Sequence, residues 1–315
     1  MPHGLPRGES GGMTKSLLPA GCIVVGVDGS EHAERAITWA AAQASRERRT
    51  LALVHCSDEL VLREPAWLEM QGIDHRELTR ALTSAARATL VKASDRAMLA
   101  APGIRVLTEL VETDPREALV DLSEDAHLLV VGSRGRGRLR TALMGSVSAS
   151  VARRAACPVV VCRPPEPGPS VCNRVVVGAD GTHAAQPVLE FAFAQASLRG
   201  LPLTVMHCFW DGISATRGPG VVPAGDDDGL ADLRLLMAES AAGLAEKYPD
   251  VTVTQELAQG LVDECLADHT PDAKLLVVGR ASAVGWPRFL HTSCALAVLE
   301  RARTTVAVVP ETEER

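Results

Sequence analysis

The chain repeats itself. Residues 26–56 (GVDGSEHAERAITWAAAQASRERRTLALVHC) align without a gap to residues 178–208 (GADGTHAAQPVLEFAFAQASLRGLPLTVMHC), with 12 of 31 positions identical. LLVVG recurs at 128–132 and 275–279, and each half closes on an apolar run beside a proline, CPVVVCRP at 157–164 and TTVAVVP at 304–310. Repetition on this scale means one folding unit used twice. With 315 residues the chain is long enough for two units that each bury a core. The reading is a flexible tail over 1–20, a first domain over 21–163, a linker over 164–173, a second domain over 174–310 and a tail over 311–315. The linker, PPEPGPSVCN, is set by its prolines, which block both helix and sheet ladders.

Within each copy, short apolar runs alternate with amphipathic stretches. In the first, CIVVGVD, LALVHC, IRVLTELV, LLVVG and PVVVC read as strands, the first of them buried on both faces. Ser30 is placed to cap a helix running to about Arg48; further helices follow over about 75–100, over PREALVDLSED and over 145–155. The alternation predicts an α/β fold: two tandem copies of a five-stranded, parallel, doubly wound domain with helices on both faces. The last strand of each copy is an apolar edge that invites pairing. The two copies are therefore expected to pack as an intramolecular pseudo-dimer, with homodimerisation left open.

Composition narrows the partners. A net charge of −7 and 3% aromatic residues disfavour nucleic acid and anionic lipid, and no apolar run reaches the length of a membrane span. The eight cysteines form no CxxC and no zinc-like spacing with histidine, so they are expected to be reduced thiols in a cytoplasmic protein. Cys157 and Cys162 should face opposite sides of the sheet and not pair.

In a sheet of this kind, ligands bind beyond the carboxyl ends of the strands, where the strand order reverses. Two segments end there: the turn Gly26-Val27-Asp28-Gly29-Ser30, and the loop GSRGRGRLRTALMGSVS at 132–148. Gly132 and Gly135 allow close backbone approach and positive φ, and Gly145-Ser146 opens a helix whose N-terminus presents N–H groups. Ser146 and Ser148 can add hydroxyl donors, and Arg134, Arg136, Arg138 and Arg140 can neutralise charge. Together they describe an anion cradle for a di- or triphosphate; the alternative is a solvated loop before a capped helix. The Walker A pattern is absent, no GxGxxG fingerprint follows the first strand, and no GxSxG elbow joins a strand to a helix. Asp28 reads as a partner for a nucleoside or as a helix cap, ahead of a catalytic base or metal ligand. His55 and His207, at equivalent strand ends, read as structural.

The pattern G-x2-G-x9-G-[ST], met by Gly132, Gly135, Gly145 and Ser146 behind the leading VDGS, resembles the universal stress protein family. The resemblance covers both halves and implies ATP, with or without Mg2+, bound in an adenine-nucleotide-hydrolase-like fold. It places Gly26, Val27 and Asp28 near the nucleoside and the backbone of Cys56 at adenine. Gly132, Ser133, Arg134, Gly135 and Arg136 then lie along ribose and phosphate, with Gly145, Ser146, Val147 and Ser148 at the phosphates. The second copy departs from the pattern. It keeps Asp180, Cys208 and Gly279, but Ser282 replaces the second glycine and Thr292-Ser293 stands where Gly-Ser should. A weaker or empty second site is expected, under a mobile loop at 211–231. The implied function is an ATP-binding, nucleotide-responsive regulator of stress adaptation with an unidentified protein partner, and not an enzyme. A nucleotide-independent interaction scaffold and a slow ATPase are the alternatives.

Overall fold

The computed structural model describes residues 18–57, 74–135, 144–164, 173–209, 220–222, 230–270, 272–280 and 291–312, giving only the helical backbone at 291–293. In the first half, β1 (Ile23–Gly26), α1 (Glu31–Glu47), β2 (Leu51–Cys56), α2 (His75–Ala100) and β3 (Val106–Val111) are followed by α3 (Pro115–Leu122), β4 (Leu128–Gly132), α4 (Ser146–Arg154) and β5 (Val159–Cys162). The second half runs β6 (Arg174–Gly178), α5 (Gln186–Arg199), β7 (Leu203–Phe209), β8 (Gly220–Val221), α6 (Ala231–Lys247), β9 (Val253–Gln259), α7 (Val262–His269), β10 (Ala273–Arg280), α8 (His291–Arg301) and β11 (Val306–Pro310). A 3-10 turn at His183–Ala185 precedes α5.

Among the described residues the strands form one sheet, in the order β3-β2-β1-β4-β5-β11-β10-β6-β7-β9-β8. Each half keeps five parallel strands, and their order in the sheet reverses between the first and fourth, β1 and β4 or β6 and β10. Two features correct the expected all-parallel pair. The short β8 adds an antiparallel edge to β9. The halves also fuse through β5 and β11, which pair antiparallel with Val160 opposite Ala307. Those two residues occupy the same position in their respective repeats, so a pseudo-twofold axis passes through the pair.

Two cores lie on opposite faces of this sheet and run through both halves. One packs α1, α2, α5 and α6 against Ile23, Val25, Leu53, Val177 and Val205. The other packs α3, α4, α7 and α8 against Val24, Val54, Val131, Val176 and Val278. The odd–even alternation along β1 is what divides its side chains between them. Cys157 joins the second core and Cys162 the first, the opposed placement expected from their spacing.

Polar residues tie the halves together. Gln43 and Gln195, equivalent in the repeat, are both buried, and Arg199 donates to both side-chain oxygens. Burial lowers the Arg199 guanidinium to about 10, and its Cζ lies 5.2 Å from the Trp39 ring centre. On the other face, Arg163 donates to the Leu299 carbonyl of α8, while Arg280 donates to Ala152 and Ala155 at the end of α4. Each arginine thus satisfies terminal carbonyls of a helix in the opposite half.

Candidate functional site

The turn after β1 is built by its own side chains. Asp28 Oδ1 accepts from the Ser30 N–H at 2.9 Å, and Ser30 Oγ accepts from the Ala33 N–H at 3.2 Å, starting α1. Gly29 supplies the left-handed φ of 77° that this turn needs, and Gly181 repeats it at 80° in the second half. At the end of β2, His55 Nδ1 donates to the Val27 carbonyl at 2.6 Å, and His207 makes the same bond to Ala179 at 3.0 Å. Both histidines thus tie a strand end to the turn after the neighbouring strand.

The first cleft opens where the strand order reverses between β1 and β4. It has a volume of about 310 Å³, at the small end of ligand-binding cavities. Gly26, Val27, Asp28, Cys56, Gly132, Arg134, Gly135, Gly145, Ser146, Val147 and Ser148 all line it. Sequence reasoning missed its apolar floor, formed by Val54, Leu119 and Val131 with Ala33 and Pro115 at the sides. Arg136, Arg138 and Arg140 fall outside the described residues.

Three details change the expected roles. Ser133 does not line the cleft; it is buried under the loop, with Oγ 3.1 Å from His32 Nδ1. Burial, reinforced by the charges of Arg35 and Arg134, holds the His32 imidazole below its usual range. The Ser148 hydroxyl donates to the Gly132 carbonyl at 2.7 Å, and the Gly145 N–H donates to the Ser133 carbonyl at 2.9 Å. Both groups therefore hold the end of β4 against the start of α4. Finally, neither Gly132, Gly135 nor Gly145 has positive φ. The first two are required by proximity instead: a Cβ on Gly132 would lie 2.6 Å from the His32 backbone, and one on Gly135 would lie 2.7 Å from Asp28 Oδ2.

What the geometry leaves facing the cleft is the first turn of α4. Its N-cap, Gly145, has no side chain to cap it, and Ser146, Val147 and Ser148 line the cleft. A helix N-terminus is the positive end of the dipole, and Arg134 stands beside it, so this wall suits an anion. Asp28 is the one carboxylate among the described lining residues. It suits a hydroxyl or amine donor.

The second cleft, about 260 Å³, lies at the equivalent reversal between β6 and β10. Asp180, Cys208 and Gly279 line it. Asp180 repeats the turn of the first half, accepting from the Thr182 N–H at 2.9 Å. The side chains of Thr292 and Ser293 lie outside the described residues, as do Ser282 and most of the 211–231 loop. The C-terminal tail contributes a residue that the sequence did not single out. Glu311 lines this cleft, and its carboxylate lies so close over Gly279 that an added Cβ would meet Oε1 at 2.0 Å. A negative charge thus sits in the second cleft, in the position that Pro164 holds in the repeat of the first half. Cys265 and Cys294 also gather around this cleft, and neither was singled out by its spacing.

Among the described residues no helix is long and apolar enough to cross a membrane, and no group of histidine, cysteine and carboxylate side chains forms a metal site. The profile of the universal stress protein family matches residues 21–163 and 172–310. A universal stress protein of Mycobacterium tuberculosis is 34% identical over 301 residues, covering 92% of this chain and 96% of its own. A second, from Mycobacterium bovis, is 33% identical over 291 residues, covering 91% and 96%. A universal stress protein from Archaeoglobus fulgidus has the same fold at 19% identity, with a TM-score of 0.66 over 94% of this chain and 98% of that one. The chain belongs to the universal stress protein family and carries two of its domains in tandem.

Proposed function

We propose that the first cleft binds ATP and that its occupancy makes the protein a nucleotide-responsive regulator of stress adaptation. Each half is read here as a doubly wound unit of the adenine-nucleotide-hydrolase type. The observation that carries the reading is that the glycine-capped start of α4 and Asp28 line one cleft, where Gly132 and Gly135 admit no side chain. The polyphosphate takes the α4 wall and Arg134; the nucleoside takes Asp28, the Cys56 strand end and the apolar floor. Magnesium fits as a companion of the phosphates rather than as a resident ion, since Asp28 alone among the described lining residues offers a carboxylate. Binding without turnover is the expected mode, because the Asp28 carboxylate already holds the Ser30 N–H.

A second reading applies to the second half. Glu311 occupies its cleft with a like charge for any phosphate, which favours a nucleotide-independent role in contacts with another protein. Mass spectrometry of nucleotide extracted from gently purified protein tests both readings. ATP is expected at about one per chain and is lost in Asp28→Ala or Gly135→Arg with the fold retained. Retention of ATP in both variants would refute the site, and sustained phosphate release lost in Asp28→Asn would revive the ATPase alternative.

A further inference from the structure

The fused sheet has two ends, and they are unlike. At one, β8 lies antiparallel on β9 opposite Ala258 and Gln259, and the Val222 N–H donates to the Leu257 carbonyl at 2.8 Å. At the other stands β3, and among the described residues no strand pairs with its outer side. The β2–β3 ladder fixes which groups are left there. The Leu51 N–H donates to the Arg105 carbonyl and the Ser57 N–H to the Val111 carbonyl, so residues 105, 107, 109 and 111 turn their peptide groups toward β2. Val106, Thr108 and Leu110 turn theirs outward, and such an edge is a template for another strand. Beside it, α2 packs on β2 and β3 with α1 at one flank, where Arg96 donates to Thr38 Oγ1 and the Glu34 carbonyl. Val91 and Met98 share one stripe about 150° round the helix from Arg96, on the side of the free edge. They are 60% and 47% exposed. Counting back from the equivalent strands β3 and β9, the second half has Ala238 and Ala245 in their places.

We propose that a second copy of the chain covers this edge, β3 pairing antiparallel with β3 about a twofold axis through Leu107. The inference is independent of nucleotide binding in either cleft. Two outward-turned residues must lie opposite each other to exchange hydrogen bonds, and both copies then present the same face of the sheet. Three registers near the middle of the strand satisfy this. Centring on Glu109 sets two carboxylates against each other, and centring on Thr108 sets Glu109 against Leu107. Centring on Leu107 sets Arg105 opposite Glu109 twice, with the two Leu107 side chains between them. The Val91 and Met98 stripes of both copies then flank the axis on one face. The opposite end of the sheet does not offer the same surface. There β8 covers part of β9, and Thr252 and Glu256 stand where β3 has Arg105 and Glu109, with Glu256 held by Arg174 at 3.3 Å. One self-complementary edge per chain closes a dimer and extends no further.

Light scattering behind size exclusion, on the full-length chain up to about 100 μM, reads the assembly directly, and the mass of two chains is expected. Thr108→Pro removes an outward N–H and no bond to β2, so it should run as a monomer with its circular dichroism unchanged. Arg105→Glu and Glu109→Arg should each weaken the dimer by about tenfold or more, since the twofold axis makes every change twice, and the double variant should restore it. Restoration separates pairing from a folding defect in either single variant. Leu107→Cys lies on the axis in a non-hydrogen-bonded pair, where opposed Cβ atoms come within disulfide reach, so mild oxidation should link two chains beyond the level of the parent. Thr108→Cys, whose copies are offset along the strand, should not link. A monomeric parent, a dimer that survives Thr108→Pro, no rescue in the double charge swap, or linkage in Thr108→Cys and not in Leu107→Cys would overturn the proposal.

Discussion

Replacing Gly135 by serine, the residue at position 282 of the second half, tests the first cleft without touching its core. A Cβ at 135 would lie 2.7 Å from Asp28 Oδ2, and ordinary contact begins at 3.4 Å, so the carboxylate must retreat by about 0.7 Å. Its other oxygen holds the Ser30 N–H at 2.9 Å, and the same retreat stretches that bond to about 3.6 Å, outside hydrogen-bonding range. Asp28 then gives up either its hold on the turn or its place at the ligand. A hydrogen bond to a charged group contributes about 1.5–3 kcal/mol. ATP affinity should therefore fall by about 10- to 150-fold. Gly135 is exposed and has no positive φ. Where Asp28 keeps the turn and yields the ligand, the unliganded melting temperature should stay within about 2 °C of the parent. Isothermal titration with ATP and a thermal melt separate the two effects. Gly243→Ser is the control, since a Cβ there meets nothing within 4 Å. Unchanged affinity in Gly135→Ser, with the melt also unchanged, would refute Asp28 as a ligand contact.

Further consequences are open to measurement. The His32 pKa is depressed in the fold, so its contribution to stability is complete above the unfolded value near 6.5 and is lost as pH falls through the folded value. Stability should decline from about pH 6.5 downward, and urea titrations across that range should show a smaller decline in His32→Asn. Arg280→Met strands the Ala152 and Ala155 carbonyls at the junction of the halves and should cost about 1–3 kcal/mol in urea unfolding; no change would show that the cross-tie is ornamental. Ser148→Ala removes the bond to the Gly132 carbonyl and should cost about 1–2 kcal/mol while also weakening ATP binding. Glu311→Gln, made in an Asp28→Ala background that silences the first cleft, should raise ATP binding at the second cleft by about tenfold. An identical titration with and without Glu311 would remove the carboxylate as the reason for that cleft's divergence.

The repeat and its strands were legible because their signals are local. Apolar runs with capped helices between them survive in one dimension, and the predicted Ser30 cap and the helix over 75–100 appear as α1 and α2. The gathering of residues at the first cleft was equally visible, since glycine spacing around β4 fixes what reaches one sheet edge. The direction of individual groups was not. Whether Ser133 and Ser148 turn to the cleft or into the fold depends on His32 and the Gly132 carbonyl, which only packing brings near. Glu311 lies in a run of charged and polar residues past the last strand, a pattern that normally means solvent. Each cysteine of the second half reads singly as a small apolar residue; their convergence appears only when α7 and α8 close over β7.

The seam between β5 and β11 has a consequence for how such a protein can change. In an assembly of two identical copies, every substitution is made twice, on both sides of the axis. Joining the copies in one polypeptide lifts that constraint. Arg163 and Arg280 show the result, for Pro310 and Ser133 stand at their twin positions, and each arginine crosses the seam without a counterpart. The left and right partners are no longer interchangeable, so one was free to keep its glycines while the other acquired thiols and an acid.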